Sequence, residues 1–188
     1  PFFINNTDTI ITYSKYGDRT SNMETAFFLK FNKKRKIELK TKYSNQYDAG
    51  GDDALVDGLK GSNNYLTGRW QGFYGKDFEA VVDLESIEEI NSLNIGSIQD
   101  VRSWIWLPKK VEFYSSTDGL NYKLLKSITH NVSDHKEESI SHQFNYKLNK
   151  PIVARYVKVK AMNYGVCPDW HLGSGGTSWL FFDEISVN

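Results

Sequence analysis

Asp52-Asp53-Ala54-Leu55-Val56-Asp57-Gly58-Leu59-Lys60-Gly61-Ser62 and, near the other end of the chain, Phe181-Phe182-Asp183-Glu184-Ile185 are the stretches whose joint reading decides the fold. Asp57 precedes Gly58, a residue free to take positive φ, so the backbone can turn tightly there and aim carbonyl oxygens inward. Two readings of the first stretch stand side by side. Asp-Gly is an ordinary turn signal. Carboxylate, carbonyl and hydroxyl oxygens gathered on one short loop are also the set that a hard cation such as Ca²⁺ takes. If the acidic pair of the second stretch meets that loop, one ion site ties the chain shut.

Outward from these stretches, composition sets the class. The 188 residues, 39% of them hydrophobic, suffice for one domain with a buried core and a remainder. The 23 basic residues balance 23 acidic ones, so no global field recruits nucleic acid or an anionic membrane. An aromatic share of 14% suits a β protein with aromatic surface to spare. A lone Cys167 excludes an internal disulfide framework. No apolar run approaches the ~20 residues that span a bilayer, and no signal peptide opens the chain. Beginning at Pro1 inside an apolar phrase, the sequence reads as a piece of something longer.

Two strand-like runs, 9–13 and 25–31, flank the polar turn 16–22 and make a short β segment that is marginal alone in water. The basic run Asn32-Lys33-Lys34-Arg35-Lys36 carries no interleaved aromatic residue, so it reads as an exposed linker or edge in preference to a nucleic-acid patch. This divides the chain into 1–36 and 37–188. Beyond the ion loop, strands are expected at 78–84, 90–95, 110–115, 123–126, 139–144, 154–160 and 179–187, with one helical turn at 86–90. Between Val153 and Val159 alternate residues oppose Ala154, Tyr156 and Lys158, as in a strand with one face on a core. Short strands joined by Gly- and Asp-containing turns imply an all-β sandwich or barrel.

The segments 54–62, 78–84, 111–119, 154–159 and 180–185, in this order, resemble the coagulation factor 5/8 type C (discoidin-like) family, and within it the family 32 carbohydrate-binding modules. The resemblance implies a galactose-binding-domain-like jelly-roll sandwich of two antiparallel sheets. It also implies a structural Ca²⁺ held by the side chains of Asp57, Ser62 and Glu184 and the carbonyls of Ala54, Leu59 and Asp183. The family's Thr is Ser62 here, which keeps the oxygen, and its closely following Trp is displaced by an insertion to Trp70. The passage 27–62 resembles the junction of a small β domain with such a module in bacterial family 20 β-N-acetylhexosaminidases. That likeness makes 1–36 the remnant of a preceding domain and linker. It makes the parent a periplasmic, secreted or cell-surface glycoside hydrolase whose catalytic domain is a partner in the same polypeptide.

Two loops, 99–108 and 163–176, concentrate aromatic and polar residues. A sugar presents apolar C–H faces and a rim of hydroxyls, so it needs a flat aromatic platform beside fixed donors and acceptors. Family 32 modules bind sugars in loops at one end of the sandwich. Trp104 or Trp170 is therefore expected as the platform and Arg102 and His171 as hydrogen-bond partners, for a glycan of galactose or N-acetylhexosamine type. One of Trp104 and Trp106 belongs to the core, Trp179 begins the apolar last strand as a core residue, and Trp170 and His171 have structural readings too. Enzyme readings fare poorly. His130, His135, His142 and His171 are scattered; Cys167 lacks an evident base; the glycines 173–176 open no helix; Asp183 and Glu184 point to opposite faces of a strand. The sequence thus describes a non-catalytic carbohydrate-binding module, with a ligand-free module packed on its catalytic domain as the alternative. Membrane or protein adhesion is the weaker third reading, since no apolar spike flanked by basic residues is present.

Overall fold

The computed structural model describes Ile4, residues 8–28 and residues 35–188. Residues 29–31 of the expected second strand and 32–34 of the basic run lie outside them. The chain divides into two compact units, Pro1–Lys33 and Lys34–Asn188. In the first, β1 (Asp8–Thr12) pairs antiparallel with β4 (Glu24–Phe28), and between them β2 (Lys15–Tyr16) and β3 (Arg19–Thr20) form a hairpin. Gly17 supplies the positive φ, 57°, that this tight turn requires.

The second unit is a seven-stranded antiparallel arrangement of β5 (Lys36–Leu39), β6 (Gln71–Tyr74), β7 (Phe78–Gln99), β8 (Lys110–Ser116), β9 (Lys123–Ile128), β10 (Ile140–Met162) and β11 (Trp179–Val187). β7 and β10 run 22 and 23 residues and pair with each other along nearly their whole length. Each bends through a corner, so its two halves serve different layers. The first half of β7 and the second half of β10 build the layer β5-β7-β10-β8-β9. Their remaining halves build the layer β6-β11-β7-β10. Phe78, Val82, Phe113 and Val157 from the first layer meet Ile95, Phe144, Leu180 and Phe182 from the second in one buried cluster. This is the jelly-roll sandwich that the resemblance implied.

The corner explains where sequence periodicity misplaces boundaries. The expected strands 78–84 and 90–95 are one bent strand, and 86–90 is extended instead of a helical turn. Ile90 pairs with Ile152 and Glu88 with Ala154, so the segment's backbone is committed to the ladder. Register breaks at Lys147/Ile152 and Ala154/Tyr156, together with Glu85 at φ 64°, make the bend. Arg155 holds it with a bidentate contact to Asp83, at 2.8 and 2.9 Å, which keeps the Asp83 carboxyl below the usual carboxylate range. The expected alternation survives at Val157 and Val159, both buried, but reverses across the bulge, where Ala154 is buried and Val153 exposed.

Candidate functional site

The acidic clamp is built by a second bulge. Phe182 pairs with Ser97 and Ile185 with Ile95, so β11 carries one residue more than its partner over that step. The surplus turns both acids toward the loop 57–61. Asp183 accepts from the backbone N–H of Gly61 at 2.9 Å and of Glu184 at 2.6 Å, while Glu184 accepts from Gly58 N–H at 3.0 Å. The expectation that the two acids face opposite sides is thereby corrected: the bulge breaks the two-residue period on which it rested. Asp57 accepts from Leu59 N–H at 2.7 Å, and Gly58 takes φ 80°.

Two glycines make room. A Cβ at Gly96 would stand 2.1 Å from Asp183 Oδ1, so the missing side chain is what admits the carboxyl. A Cβ at Gly61 would stand 2.1 Å from the Trp70 ring. Trp70 is fully buried and donates its indole N–H to the Ser62 carbonyl at 3.0 Å. The displaced Trp therefore still closes the loop. The Ser62 hydroxyl accepts from Asn64 N–H at 3.2 Å. Leu55 and Val56, in the short 3₁₀ turn Ala54–Val56, anchor the loop in the core.

Burial pushes the Glu184 carboxyl up to about 8, with the charges of Asp57 and Asp183 acting in the same direction. Burial also raises Asp57 and Asp183. Among the described residues none of the three forms an ion pair; Lys60 acts on Asp183 and Glu184 through space, and Arg69 on Asp57. Among the same residues no group of three or more His, Cys, Asp or Glu side chains is brought together for a metal ion. The oxygen set expected from the sequence is of another kind: the carboxylates of Asp57 and Glu184, the Ser62 hydroxyl and backbone carbonyls. Three carboxyl groups raised by burial, with no ion pair among the described residues and beside an oxygen-rich loop, fit a cation of that preference.

The loops at 100–108, 129–139 and 163–178 meet in an aromatic cluster. After the 3₁₀ turn Val101–Ser103, Trp104 adopts φ 62°, donates its N–H to the Val101 carbonyl at 2.9 Å and accepts from Trp179 N–H at 2.8 Å. Its ring lies on Gly173, where a Cβ would stand 2.5 Å from the indole nitrogen, and the residue stays 44% exposed. Trp106 is the core partner of the pair. It is stacked on Tyr164 at 5.0 Å and donates to the Asp134 carbonyl at 3.3 Å. Tyr164 donates to the Asp134 carboxylate at 2.7 Å, and its hydroxyl is pushed up to about 12, first by burial and then by that carboxylate.

Arg102 is exposed, with only a loose 3.9 Å approach to Asp100. His171 is buried, and both ring nitrogens are taken. Nδ1 accepts from Gly173 N–H at 3.0 Å, which leaves Nε2 to donate to the Val101 carbonyl at 2.7 Å. The ring joins the two loops and offers no free hydrogen bond. Trp170 is 43% exposed and stacks on His135 at 3.9 Å, a contact that nothing in the local sequence of either residue signals. Cys167 is a buried thiol beside Val101 and Trp106, raised by burial. Trp179, expected in the core, is half-buried at the core's margin among Tyr47 and Tyr74, because it caps the first pair of β11 with the edge strand β6.

The F5/8 type C domain family matches residues 40–180. Among solved structures, the CBM32-1 of a family 31 glycoside hydrolase from Clostridium perfringens superposes with a TM-score of 0.50 and 19% identity, over 81% of this chain and 92% of that one. The family 32 CBM of C. perfringens NanJ, in complex with galactose, gives a TM-score of 0.51 and 15% identity, over 81% and 92% of the two chains. An f-lectin (fucolectin) from the serum of striped bass, Morone saxatilis, gives 0.52 and 17%, over 81% of this chain and 46% of that one. At these identities the likeness shows a shared fold. No curated protein matches the chain.

Proposed function

The chain belongs to the F5/8 type C domain family, and on that footing we propose that its Lys34–Asn188 unit is a Ca²⁺-stabilised, non-catalytic carbohydrate-binding module of a larger extracellular glycoside hydrolase. The observation that carries the sugar reading is Trp104. A bulky residue at φ 62° is held against its backbone preference. The loop holds it there with two backbone hydrogen bonds, and the residue remains 44% exposed, two positions along the chain from the exposed Arg102. That is a flat aromatic platform on a loop that also carries an exposed guanidinium.

Trp170, braced by His135, is a second exposed ring on the same loops, and His171 fixes the loop geometry from beneath. The structure of the NanJ module with galactose supports a ligand of galactose type. The parent, a β-N-acetylhexosaminidase in this reading, would gain effective substrate concentration from such a contact.

Ca²⁺, when bound, supplies the positive charge that the clamp lacks. Asp57, Glu184 and Ser62 would hold it with side-chain oxygens, and Ala54, Leu59 and Asp183 with carbonyls. The chain's own part is to hold Glu184 on the loop through Gly58 N–H and Asp57 through Leu59 N–H, and to back the loop with the buried Trp70, Leu55 and Val56.

The test is a glycan array followed by calorimetric titration of the full chain with galactose and N-acetylgalactosamine. Trp104→Ala should weaken binding at least tenfold with an unchanged far-UV circular dichroism spectrum. Absence of any glycan binding by the wild-type chain would reject the reading in favour of a module that only packs on its catalytic domain.

A further inference from the structure

The outer face of the layer β6-β11-β7-β10 carries a groove of about 480 Å³, remote in sequence from the aromatic loops and lined by Tyr146 as well as by polar side chains. Its floor is a ladder. Asn145 of β10, Asn94 of β7 and Ser186 of β11 lie in cross-strand register, and one step along the same face Lys147 stands opposite Ser92. Intervening residues Leu93, Phe144, Ile185 and Val187 point the other way into the core, as the two-residue period of a strand demands. Lys60 closes one side from the ion loop. The groove therefore presents side-chain amides and hydroxyls from three strands at the spacing of a β-ladder, with an ammonium at either margin.

Its charge is one-sided. No aspartate or glutamate side chain lines it, in a chain whose basic and acidic residues balance at 23 each. Among the described residues neither lysine has an ion pair, and both are exposed. Asn94 donates to Gln143 Oε1 at 2.6 Å, yet its own carbonyl oxygen is buried without a partner. Ammonium groups and amide ladders together match a ligand bearing both carboxylates and vicinal hydroxyls. The volume lies within the range of small-ligand sites.

We propose that this sheet face is a second binding site, for an acidic oligosaccharide of uronate type. Lys60 and Lys147 pair with carboxylates, and Asn145, Ser92 and Ser186 engage the hydroxyls. The site is independent of the Trp104 platform.

Calorimetric titration of the full chain with tetragalacturonate and with tetramannuronate tests it, with two controls. Fully methyl-esterified tetragalacturonate keeps the hydroxyls and loses the charge; inorganic sulfate keeps the charge and loses the hydroxyls. Binding of at least one tetrauronate is expected, about tenfold or more weaker for the ester and for sulfate, and falling as salt rises from 50 to 500 mM. The double variant K60Q/K147Q should lower the affinity at least tenfold, Asn145→Ala severalfold, and Trp104→Ala not at all. Retained binding in K60Q/K147Q, loss in Trp104→Ala, equal affinity for sulfate, or no binding of either tetrauronate overturns the proposal. The Trp104→Ala arm also separates this outcome from failure of the sugar platform, which the lysine variants leave untouched.

Discussion

Replacing Gly96 with Ala should break the clamp from outside it. The new methyl would stand 2.1 Å from Asp183 Oδ1, where ordinary contact begins at 3.4 Å, so the carboxyl must withdraw by more than an ångström. Asp183 is buried, and its two oxygens accept from Gly61 and Glu184 at 2.9 and 2.6 Å. Withdrawal lengthens both bonds and leaves buried donors short of an acceptor. Hydrogen bonds to a charged group contribute about 1.5–3 kcal/mol each, so a loss of about 3–5 kcal/mol is expected. Urea unfolding followed by tryptophan fluorescence reads it, and Trp70, packed on Gly61, reports from beside the lesion. The decisive comparison is a double-mutant cycle with Asp183→Ala. Without the carboxyl the nearest atom to the methyl is Gln143 Nε2, at 2.5 Å, the end of a flexible side chain. Gly96→Ala should then cost at least about 2 kcal/mol less than in the wild-type background. Additive effects, or a Gly96→Ala loss under about 0.5 kcal/mol, would refute the reasoning that the glycine exists to admit Asp183.

Two further outcomes follow from the same geometry. With Ca²⁺ chelated, stability should fall as pH rises. The Glu184 carboxyl sits at about 8 in the folded chain against an ordinary 4.5, so the native state holds the proton more tightly. Ionisation then penalises folding progressively between those values and not below them. At 1.36 kcal/mol per unit the ceiling is about 5 kcal/mol, and a measured loss of about 2–5 kcal/mol is expected once water reaches the opened loop. Glu184→Gln should flatten that slope, and added Ca²⁺ should raise the melting temperature more at pH 8 than at pH 5; identical curves with and without chelator reject the cation. At the platform, Trp104→Gly should be about 1 kcal/mol more stable than Trp104→Ala, because both lose the indole and only alanine keeps the strained φ of 62°. Equal denaturation midpoints would deny that the backbone there is strained.

Much of this protein is legible in one dimension. Strand positions and the aromatic loops follow from residue types whose local preferences agree with the fold, whereas the pairing of the Asp57 loop with the Asp183-Glu184 strand is legible only through the family resemblance. Other features belong to the tertiary structure alone, because a bulge or a corner adds one residue to a two-residue period and reverses every face beyond it. Such an offset turns Glu184 and Asp183 to the same loop and puts Ala154, not Val153, in the core. The stack of Trp170 on His135 and the commitment of both His171 nitrogens are contacts between distant loops, and composition around each residue is silent on its partner. The polar ladder of Asn145, Asn94 and Ser186 exists only once three strands are in register, since register is a property of the assembled sheet.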